Sequence, residues 1–395
     1  MAKMAKIEFN ISFNNEGFVL TITGFNSSIQ TAIYELISLF KKVTTEDKLN
    51  QLFIQKDYFR KQFENFYLED SQNQANSYME FLLKDPSTTP HIKLKVLEKI
   101  DLPFLQNYVS KYLKETRFEW IIQGNLLKQQ AIDIAESCHK LIQEQVLPID
   151  RTPIYRIANI TPRENYVFRV ESKDYQNVNS CLMSYFQFGH LSPLDRVKLS
   201  IVKRIFSEKF FDDLRTKQAL GYVVQMYTTK LRKVSGLYFA ILSSVKCPEY
   251  VWQKVNDFIA NGEKVLSDMN DEELSTYVES VRTTIKEKDL KLSYEASRNY
   301  FEIKHRDFLF NIKEIQLDLI KAITKNDIQI FYRHFMIENF KRLDVEVLCA
   351  NHVKENEDLF KENKEYSEKN KFKRILVESI NDFKKKVTLY EDFMY

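Results

Sequence analysis

The chain has 395 residues, 44% of them hydrophobic, which is enough for two ordinary globular domains with substantial cores. The net charge is only +3 and the basic residues are dispersed, which argues against a nucleic-acid-binding protein. The seven glycines form no phosphate-binding loop, and no apolar run reaches the roughly 18 residues that a membrane span needs.

The N-terminal sequence and the cysteines bear on the compartment. The opening MAKMAKIEFNISF has neither the apolar core of a signal peptide nor the Arg- and Ser-rich pattern of a transit peptide. The cysteines lie far apart and form no CxxC pair, so neither a zinc knuckle nor a disulfide framework is indicated: Cys138, Cys181, Cys247 and Cys349. We therefore expect a cytoplasmic protein with buried free thiols, a mitochondrial location being less favoured.

The first part of the chain opens with strand alternation and continues with helical periodicity. Residues 7–13 and 18–24 predict a β-hairpin around an Asn-Asn-Glu-Gly turn. Helices are then predicted at residues 27–42, after a cap at Thr44 or Thr45, at 75–83, and from Asp101 onward. The apolar residues 118–123 predict a strand that ends at Gly124.

The second part repeats the first after a proline-containing connection. Strands predicted at 221–229 and 236–244 correspond to the opening hairpin, helices beginning at 248 and 271 follow, and a late strand is predicted at 343–349. The repeat distance of about 225 residues is too long for a solenoid. We predict an α+β fold of two homologous domains, 1–147 and 166–395, joined by a linker at 148–165. Each would be a twisted antiparallel sheet with helices packed on one face, and the charged run 354–373 a solvated helix or a disordered loop.

The two copies are unequal in length before their hairpins. The second has an additional strand, helix and loop at residues 166–210, to which nothing corresponds before residue 7. The first copy is therefore expected to have an open sheet edge and an uncovered apolar face, which natural proteins rarely tolerate. Further sequence or a partner is expected to cover them.

Residues 210–222 read FFDDLRTKQALGY. This run closely resembles the LRTxxQLGY segment in the last of the four homologous domains of insulinase-family zinc metallopeptidases, the insulysin type. The strands at 223–244, the Gly124-Asn125 strand end and residues 383–390 continue the resemblance, which covers almost the whole chain as the third and fourth domains. It implies a clam-shell enzyme whose two halves enclose a chamber for peptides.

In that family the zinc site lies in the first domain and uses an HxxEH motif with a distant glutamate. None of the histidines here begins HxxEH or HExxH: His91, His139, His190, His305, His334 and His352. His334 and Glu338 are four residues apart on a predicted helix, but a third ligand is missing and a surface pair is favoured. We expect no catalytic residue and no metal site in this chain, with zinc in the complementary half.

By resemblance, Arg215 and Tyr222 are the substrate-binding residues, reaching across the chamber to hold the substrate backbone beside the zinc-bound water. A guanidinium donates to carbonyls with fixed geometry, and a phenol hydroxyl can donate to a developing oxyanion. We expect Arg215 near a helix end and Tyr222 at a strand start, facing one way. A structural alternative stays open, in which Arg215 pairs with Asp212 or Asp213 and Tyr222 is half-buried in a sheet.

Three functions compete at this point. The chain is the non-zinc half of a longer insulysin-like metalloendopeptidase, or a separately encoded non-catalytic subunit. The third is a structural relative, like the core subunits of the mitochondrial respiratory complex, against which the retained Arg215 and Tyr222 argue. In the first two cases the partners are peptide substrates and an HxxEH-bearing half, with no nucleic acid and no membrane, and the isolated chain is inactive.

Overall fold

The computed structural model describes residues 7–42, 49–142 and 145–391. Up to residue 155 the described strands and helices are, in chain order, β1 (Glu8–Asn14), β2 (Gly17–Thr23), α1 (Asn26–Lys42), α2 (Leu49–Asn65), α3 (Ser71–Leu83), β3 (Lys84–Asp85), α4 (Pro90–Glu98), α5 (Leu102–Lys114), β4 (Glu115–Thr116), α6 (Lys128–Ile142) and β5 (Gln145–Val146). From residue 156 they are β6 (Arg156–Asn159), β7 (Glu164–Glu171), β8 (Ser180–His190), α7 (Pro193–Phe211), β9 (Val223–Leu231), β10 (Val234–Ser243), α8 (Pro248–Asp268), α9 (Asp271–Lys286), α10 (Leu292–Lys304), α11 (Ile312–Leu319), α12 (Lys325–Tyr332), β11 (Lys341–Leu348), α13 (Val353–Lys369), β12 (Lys373–Val377), α14 (Ile380–Lys386) and β13 (Thr388–Leu389).

The chain folds into two compact units that interleave along the sequence. Unit 1 takes the described residues within 1–65, 86–155 and 290–300, and unit 2 those within 66–85, 156–289 and 301–391. The division at 155/156 falls inside the predicted linker 148–165. However, residues 66–85, which the prediction assigns to the domain 1–147, belong to unit 2. Residues 290–300, which it assigns to the domain 166–395, belong to unit 1. For 66–85 the reason is α3, whose apolar face is buried on the unit 2 sheet.

Unit 1 begins with the predicted hairpin. β1 and β2 pair antiparallel across a two-residue turn, where Asn14 Oδ1 accepts the N–H groups of Glu16 at 2.8 Å and Gly17 at 3.0 Å. The φ of Gly17, 146°, is one that side-chain-bearing residues rarely adopt. Helix α1 agrees with the helix predicted from residue 27, whereas the predicted caps Thr44 and Thr45 lie outside the described residues. A small core joins α1, α5 and α6: Ile37, Leu113, Ile134 and Cys138.

The strand predicted at residues 118–123 is wrong. Phe118, Trp120 and Ile122 do pack against the small core, as their alternation indicates, but their backbone has no ladder partner among the described residues. The pairing at this point is a short parallel one between β4 and β5. Alternation reports one buried face, and a strand also needs a neighbour for its N–H and C=O groups.

Unit 2 is built on a six-stranded sheet in the order β12-β7-β11-β8-β10-β9. Strands β8, β9 and β10 pair antiparallel and β11 pairs antiparallel with β8, while β7 pairs in parallel with both β11 and β12. The central strand β8 is buried at ten of its eleven positions. Its sequence is mainly apolar, and its buried polar side chains Ser184 and Gln187 form hydrogen bonds with Asp344 and with the Ala158 carbonyl. The predicted α+β class and the second hairpin are confirmed.

Helices cover both faces of this sheet. The larger core joins one face to α7, α8, α9 and α12 and includes Phe210, Trp252 and Tyr332. The other face is covered by α3 and α14, through Met79, Leu82 and Phe383 among others. The sequence predicted helices on one face of each sheet, and α3 provides the additional cover because it returns to unit 2 from an early part of the chain.

Most of the charged run 354–373 forms α13, which ends at Lys369, so the helical alternative is confirmed for that part. The helix is not solvated all round, because Asn356, Asn363 and Ser367 are buried on its inner side. Within the described ranges, every helix falls short of the length and hydropathy that a bilayer crossing requires.

Candidate functional site

The site begins where α7 ends. Ser192 caps the helix, its Oγ accepting the Asp195 N–H at 3.1 Å, and Pro193 occupies the first turn, where its missing N–H costs little. At its other end α7 continues into a π-helical segment, Asp212–Lys217, closed by a hydrogen bond from the Gln218 N–H to Asp213 O at 3.0 Å. Single π turns are common at functional sites because they reorient the side chains that follow.

A tight loop connects this segment to β9. Ala219 has a φ of 50°, in the left-handed region, and the Leu220 N–H donates to Leu214 O at 2.9 Å. The next residue, Gly221, lies so close to β10 that a Cβ there would be 2.9 Å from the carbonyl carbon of Leu242 and closer still to its oxygen. The loop therefore depends on a residue without a side chain at position 221.

Arg215 and Tyr222 are brought together at this loop. Arg215 Nη1 donates to the carbonyl oxygen of Tyr222 at 2.6 Å, and the guanidinium carbon lies 5.3 Å from the centroid of the Tyr222 ring. Tyr222 immediately precedes β9, its N–H donates to Leu242 O at 3.1 Å, and its side chain is 77% exposed. The backbone of Tyr222 is thus fixed on both sides while its phenol projects into solvent.

The expected positions of the two residues agree with this arrangement, since Arg215 lies at a helix end and Tyr222 at a strand start. The structural alternative finds less support. Asp212 forms an ion pair with Lys217 at 2.7 Å, Asp213 accepts from the side chain of Gln218 at 3.1 Å, and Tyr222 is exposed rather than half-buried. That Arg215 and Tyr222 bind substrate stays a prediction.

Sequence reasoning missed Phe211 as a third member of this group. Its ring centroid lies 5.1 Å from the Arg215 guanidinium carbon, on the preceding helical turn, and its side chain is exposed. The Arg215 cation therefore lies near two aromatic rings, those of Phe211 and Tyr222, which restricts it in the manner of a cation–π contact. The spacing of four residues between Phe211 and Arg215 could have indicated the pair.

A buried charge network in unit 2 was also missed. Arg169 contacts Glu249 at 3.0 Å and Glu346 at 2.8 Å, and Arg374 forms ion pairs with both glutamates while lying 4.0 Å from the centroid of the Trp252 ring. Both glutamates and Arg374 have fully buried side chains. The four charged residues are far apart in the sequence. The signal that could have indicated the network is the presence of a charged residue inside each of the mainly apolar strands β7 and β11.

This network joins the helix α8, which carries Glu249, to the sheet strands that carry Arg169, Glu346 and Arg374. Burial raises the pKa of Glu249, and the nearby Glu346 carboxylate raises it further. Burial also favours the neutral form of Glu346, but Arg169, a hydrogen bond with Glu249 and the charge of Arg374 together outweigh it and hold the pKa of that carboxyl below its usual range. Because the carboxylates are sealed from solvent, we assign them to stability rather than to binding.

The side chains that the structure describes do not fit a zinc site. No group of three or more His, Cys, Asp or Glu side chains in the described part of the chain could hold a metal ion. His334 lies in a π-helical segment, its Nδ1 3.3 Å from the side-chain nitrogen of Asn339. All four cysteines are free and buried, and burial raises the pKa of Cys138 to about 11 and that of Cys247 to about 12.

Comparison with protein families agrees with the sequence motif. Residues 1–96 match the middle or third domain of peptidase_M16, and residues 201–300 match domain 4 of the C-terminal lobe of PQQ synthase PqqF-like proteins. The insulin-degrading enzyme of Bos taurus is 25% identical over 339 residues, covering 85% of this chain and 33% of the relative. The A-factor-processing enzyme of Saccharomyces cerevisiae is 27% identical over 342 residues, again 85% and 33%. The chain thus spans about a third of the length of these curated relatives.

Solved structures show the same fold. Pitrilysin superposes with a TM-score of 0.78 at 18% identity, covering 97% of this chain and 39% of pitrilysin. A structure described as the peptidase M16 inactive domain from Pseudomonas fluorescens superposes with a TM-score of 0.63 at 12% identity, covering 87% of this chain and 81% of the other. The resemblance predicted from the Leu214–Tyr222 run is therefore confirmed: this chain is similar to the insulinase-type (M16) peptidases, with residues 1–96 matching a third domain and residues 201–300 a fourth domain.

Proposed function

We propose that this chain is the metal-free half of an insulysin-like metalloendopeptidase, which closes a peptide chamber and positions the substrate backbone for an HxxEH-bearing half. The observation that carries the proposal is the exposed phenol of Tyr222, whose backbone is held by Arg215 and by β10. Tyr222 differs from other exposed tyrosines such as Tyr175 in that a guanidinium lies beside its ring and binds its backbone carbonyl.

The chemistry of the two side chains suits this role. The phenol hydroxyl of Tyr222 can donate to an oxyanion that develops on the scissile carbonyl. Arg215 uses one N–H on the Tyr222 carbonyl, and a guanidinium has five donors, so others are available for a substrate carbonyl. Zinc and the activated water would belong to the complementary half, since residues 7–42, 49–142 and 145–391 contain no group of three His, Cys, Asp or Glu side chains that could hold a metal ion.

Two experiments test the proposal. The purified chain should not hydrolyse peptides with or without added zinc, and turnover that survives removal of contaminating peptidases would contradict it. In an enzyme reconstituted with its HxxEH half, Tyr222→Phe should lower kcat by roughly ten- to a thousand-fold, the effect of one lost oxyanion donor. Tyr175→Phe, the same change at another exposed tyrosine, is the matched control and should leave kcat unchanged.

A second arrangement, a separately encoded non-catalytic subunit, is favoured by one observation. The Pseudomonas fluorescens chain described as an inactive domain matches this one over most of the length of both. The mass of the endogenous polypeptide distinguishes the cases. A species of 47.1 kDa would make this chain a subunit, and one about twice or more that size would make it part of a longer peptidase.

The substrates and the compartment belong to the same proposal. We propose peptide or protein substrates, as in the relative whose structure is described as the ferredoxin protease FusC in complex with Arabidopsis ferredoxin. Free buried thiols are typical of a reducing compartment, which supports the cytoplasm, although one relative is named as peroxisomal. Fractionation of cells with an antibody against the chain would test the location.

A further inference from the structure

We propose that the outer edge of β9 is a second binding subsite, which takes an extended segment of a peptide substrate as an added antiparallel or parallel strand. The inference rests on the proposed function, because the edge begins at Tyr222 and would pass the peptide to Arg215 and Tyr222. It adds a ligand class, an extended peptide backbone recognised with little regard to side-chain sequence.

The first argument is the position of β9 in the sheet. β9 is the terminal strand of the six, and β10 is its sole ladder partner among the described strands. In an antiparallel pair, alternate residues direct their N–H and C=O groups toward the partner and the others direct them away. Residues 223–229 therefore present about three backbone donor–acceptor pairs outward, along roughly 20 Å of strand.

The second argument is that the first seven residues of β9 lack the charge and the proline that usually protect a sheet edge. Proteins block sheet edges with charge, proline, short strands or a covering element. Strand β12 at the opposite edge is protected in this way: it has five residues, begins with Lys373 and Arg374, and packs against α13 and α14. β9 has nine residues and no proline, and its first seven, VVQMYTT, are uncharged.

The third argument is that β9 is anchored to unit 2 while some of its side chains remain exposed. Val224 and Met226 are buried in the larger core, while the side chains of Gln225 and Thr228 are exposed. At the far end Lys230 forms an ion pair with Asp307, which also contacts Arg196 at 2.9 Å. A preformed strand loses little conformational freedom when a peptide pairs with it, which favours binding.

The fourth argument identifies a peptide substrate as the ligand of the β9 edge. The free edge is continuous with the Arg215 and Tyr222 site, since Tyr222 immediately precedes the first residue of β9. A peptide extended along residues 223–229 would therefore emerge beside the exposed phenol. The uncharged side chains of the edge select for an extended backbone rather than for a charge pattern, which is a way to accept peptides of varied sequence.

The test uses a labelled peptide and the purified chain. The probe is a fluorescein-labelled peptide of about seven residues, rich in Thr and Val, matched to the length of the edge, and fluorescence anisotropy measures its binding. Scrambling the probe should leave Kd within about threefold, whereas methylating the amide nitrogens of its central residues should weaken binding by about tenfold or more. Binding that follows side-chain order and ignores N-methylation would overturn the inference.

Two proline variants test the protein side. Gln225 and Thr228 are three residues apart, so their N–H groups point in opposite lateral directions. One of Gln225→Pro and Thr228→Pro thus removes an outward N–H and leaves the ladder with β10 intact, and thermal melting identifies the variant that stays folded. That variant should lose binding of the probe, and undiminished binding would overturn the inference.

The remaining outcomes separate this inference from the proposed function. Concentration-dependent dimers that the folded proline variant abolishes, in a chain that does not bind the probe, would assign the edge to a second copy and overturn the peptide subsite. Binding sensitive to N-methylation together with unchanged kcat in Tyr222→Phe would support the β9 edge while refuting the proposed role of Tyr222.

Discussion

Replacing Gly221 by alanine is expected to damage both unit 2 and the candidate site. The added Cβ would press on the backbone carbonyl of Leu242, a group that cannot rotate away as a side chain can. Relief requires the loop to move away from β10, at about 1–3 kcal/mol for overpacking. The hydrogen bond from the Tyr222 N–H to Leu242 O would be weakened, at about 1 kcal/mol. We expect the free energy of unfolding to fall by about 2–4 kcal/mol.

The assay is equilibrium urea unfolding followed by tryptophan fluorescence. The chain has two tryptophans, so Trp120→Phe leaves Trp252, in unit 2, as the single reporter. The matched control is Ala219→Gly in the same loop, which should be neutral or stabilise slightly, because Ala219 has a φ of 50°. A Gly221→Ala change within about 0.5 kcal/mol of the parent would refute the reasoning.

Two further predictions concern buried charges. Arg374→Met should destabilise unit 2 by about 3–5 kcal/mol in the same urea assay, because it leaves the buried Glu249 and Glu346 with one guanidinium fewer, and a midpoint shift within error would contradict this. Burial and then the charge of nearby lysines lower the pKa of His305 from 6.5 to about 3. Between these two values only the unfolded chain takes up the proton. The contribution of neutral His305 to the free energy of unfolding is therefore fully present above pH 6.5 and is lost as the pH falls toward 3. His305→Gln should reduce that slope by about 1.4 kcal/mol per pH unit, while His334→Gln at an exposed position should not, and equal slopes would contradict the assignment.

Where sequence patterns depend on local chemistry, the fold could be predicted from them. Asp101 caps α5 by accepting the Phe104 N–H at 2.7 Å, as its place before a proline indicated. The second hairpin and the strand at residues 343–349 also follow from alternation and apolar runs. The alternating residues around Trp120 show the limit of this reasoning, because side-chain burial is local information and strand pairing is not.

The candidate site was predictable only through the resemblance of its motif. Composition and spacing do not reveal that Arg215 would contact the carbonyl of Tyr222, because that contact depends on a π turn and a left-handed Ala219. The network around Arg374 was hidden for a related reason: its members come from distant segments, and only the folded sheet brings them together. Ion pairs between residues that are distant in the sequence are therefore difficult to predict from a single sequence.

The interleaving of the two units has a consequence for synthesis. Helix α3 leaves the ribosome long before β8, β10 and β11, the strands against which its apolar face packs. At a translation rate of roughly 5–20 residues per second, the apolar face of α3 stays unpaired for tens of seconds until these strands are synthesised. During this time it can bind a chaperone or aggregate. For the same reason, a chain that began at residue 156 would lack α3, and the part of the unit 2 sheet that α3 covers would be exposed to solvent and to other nascent chains.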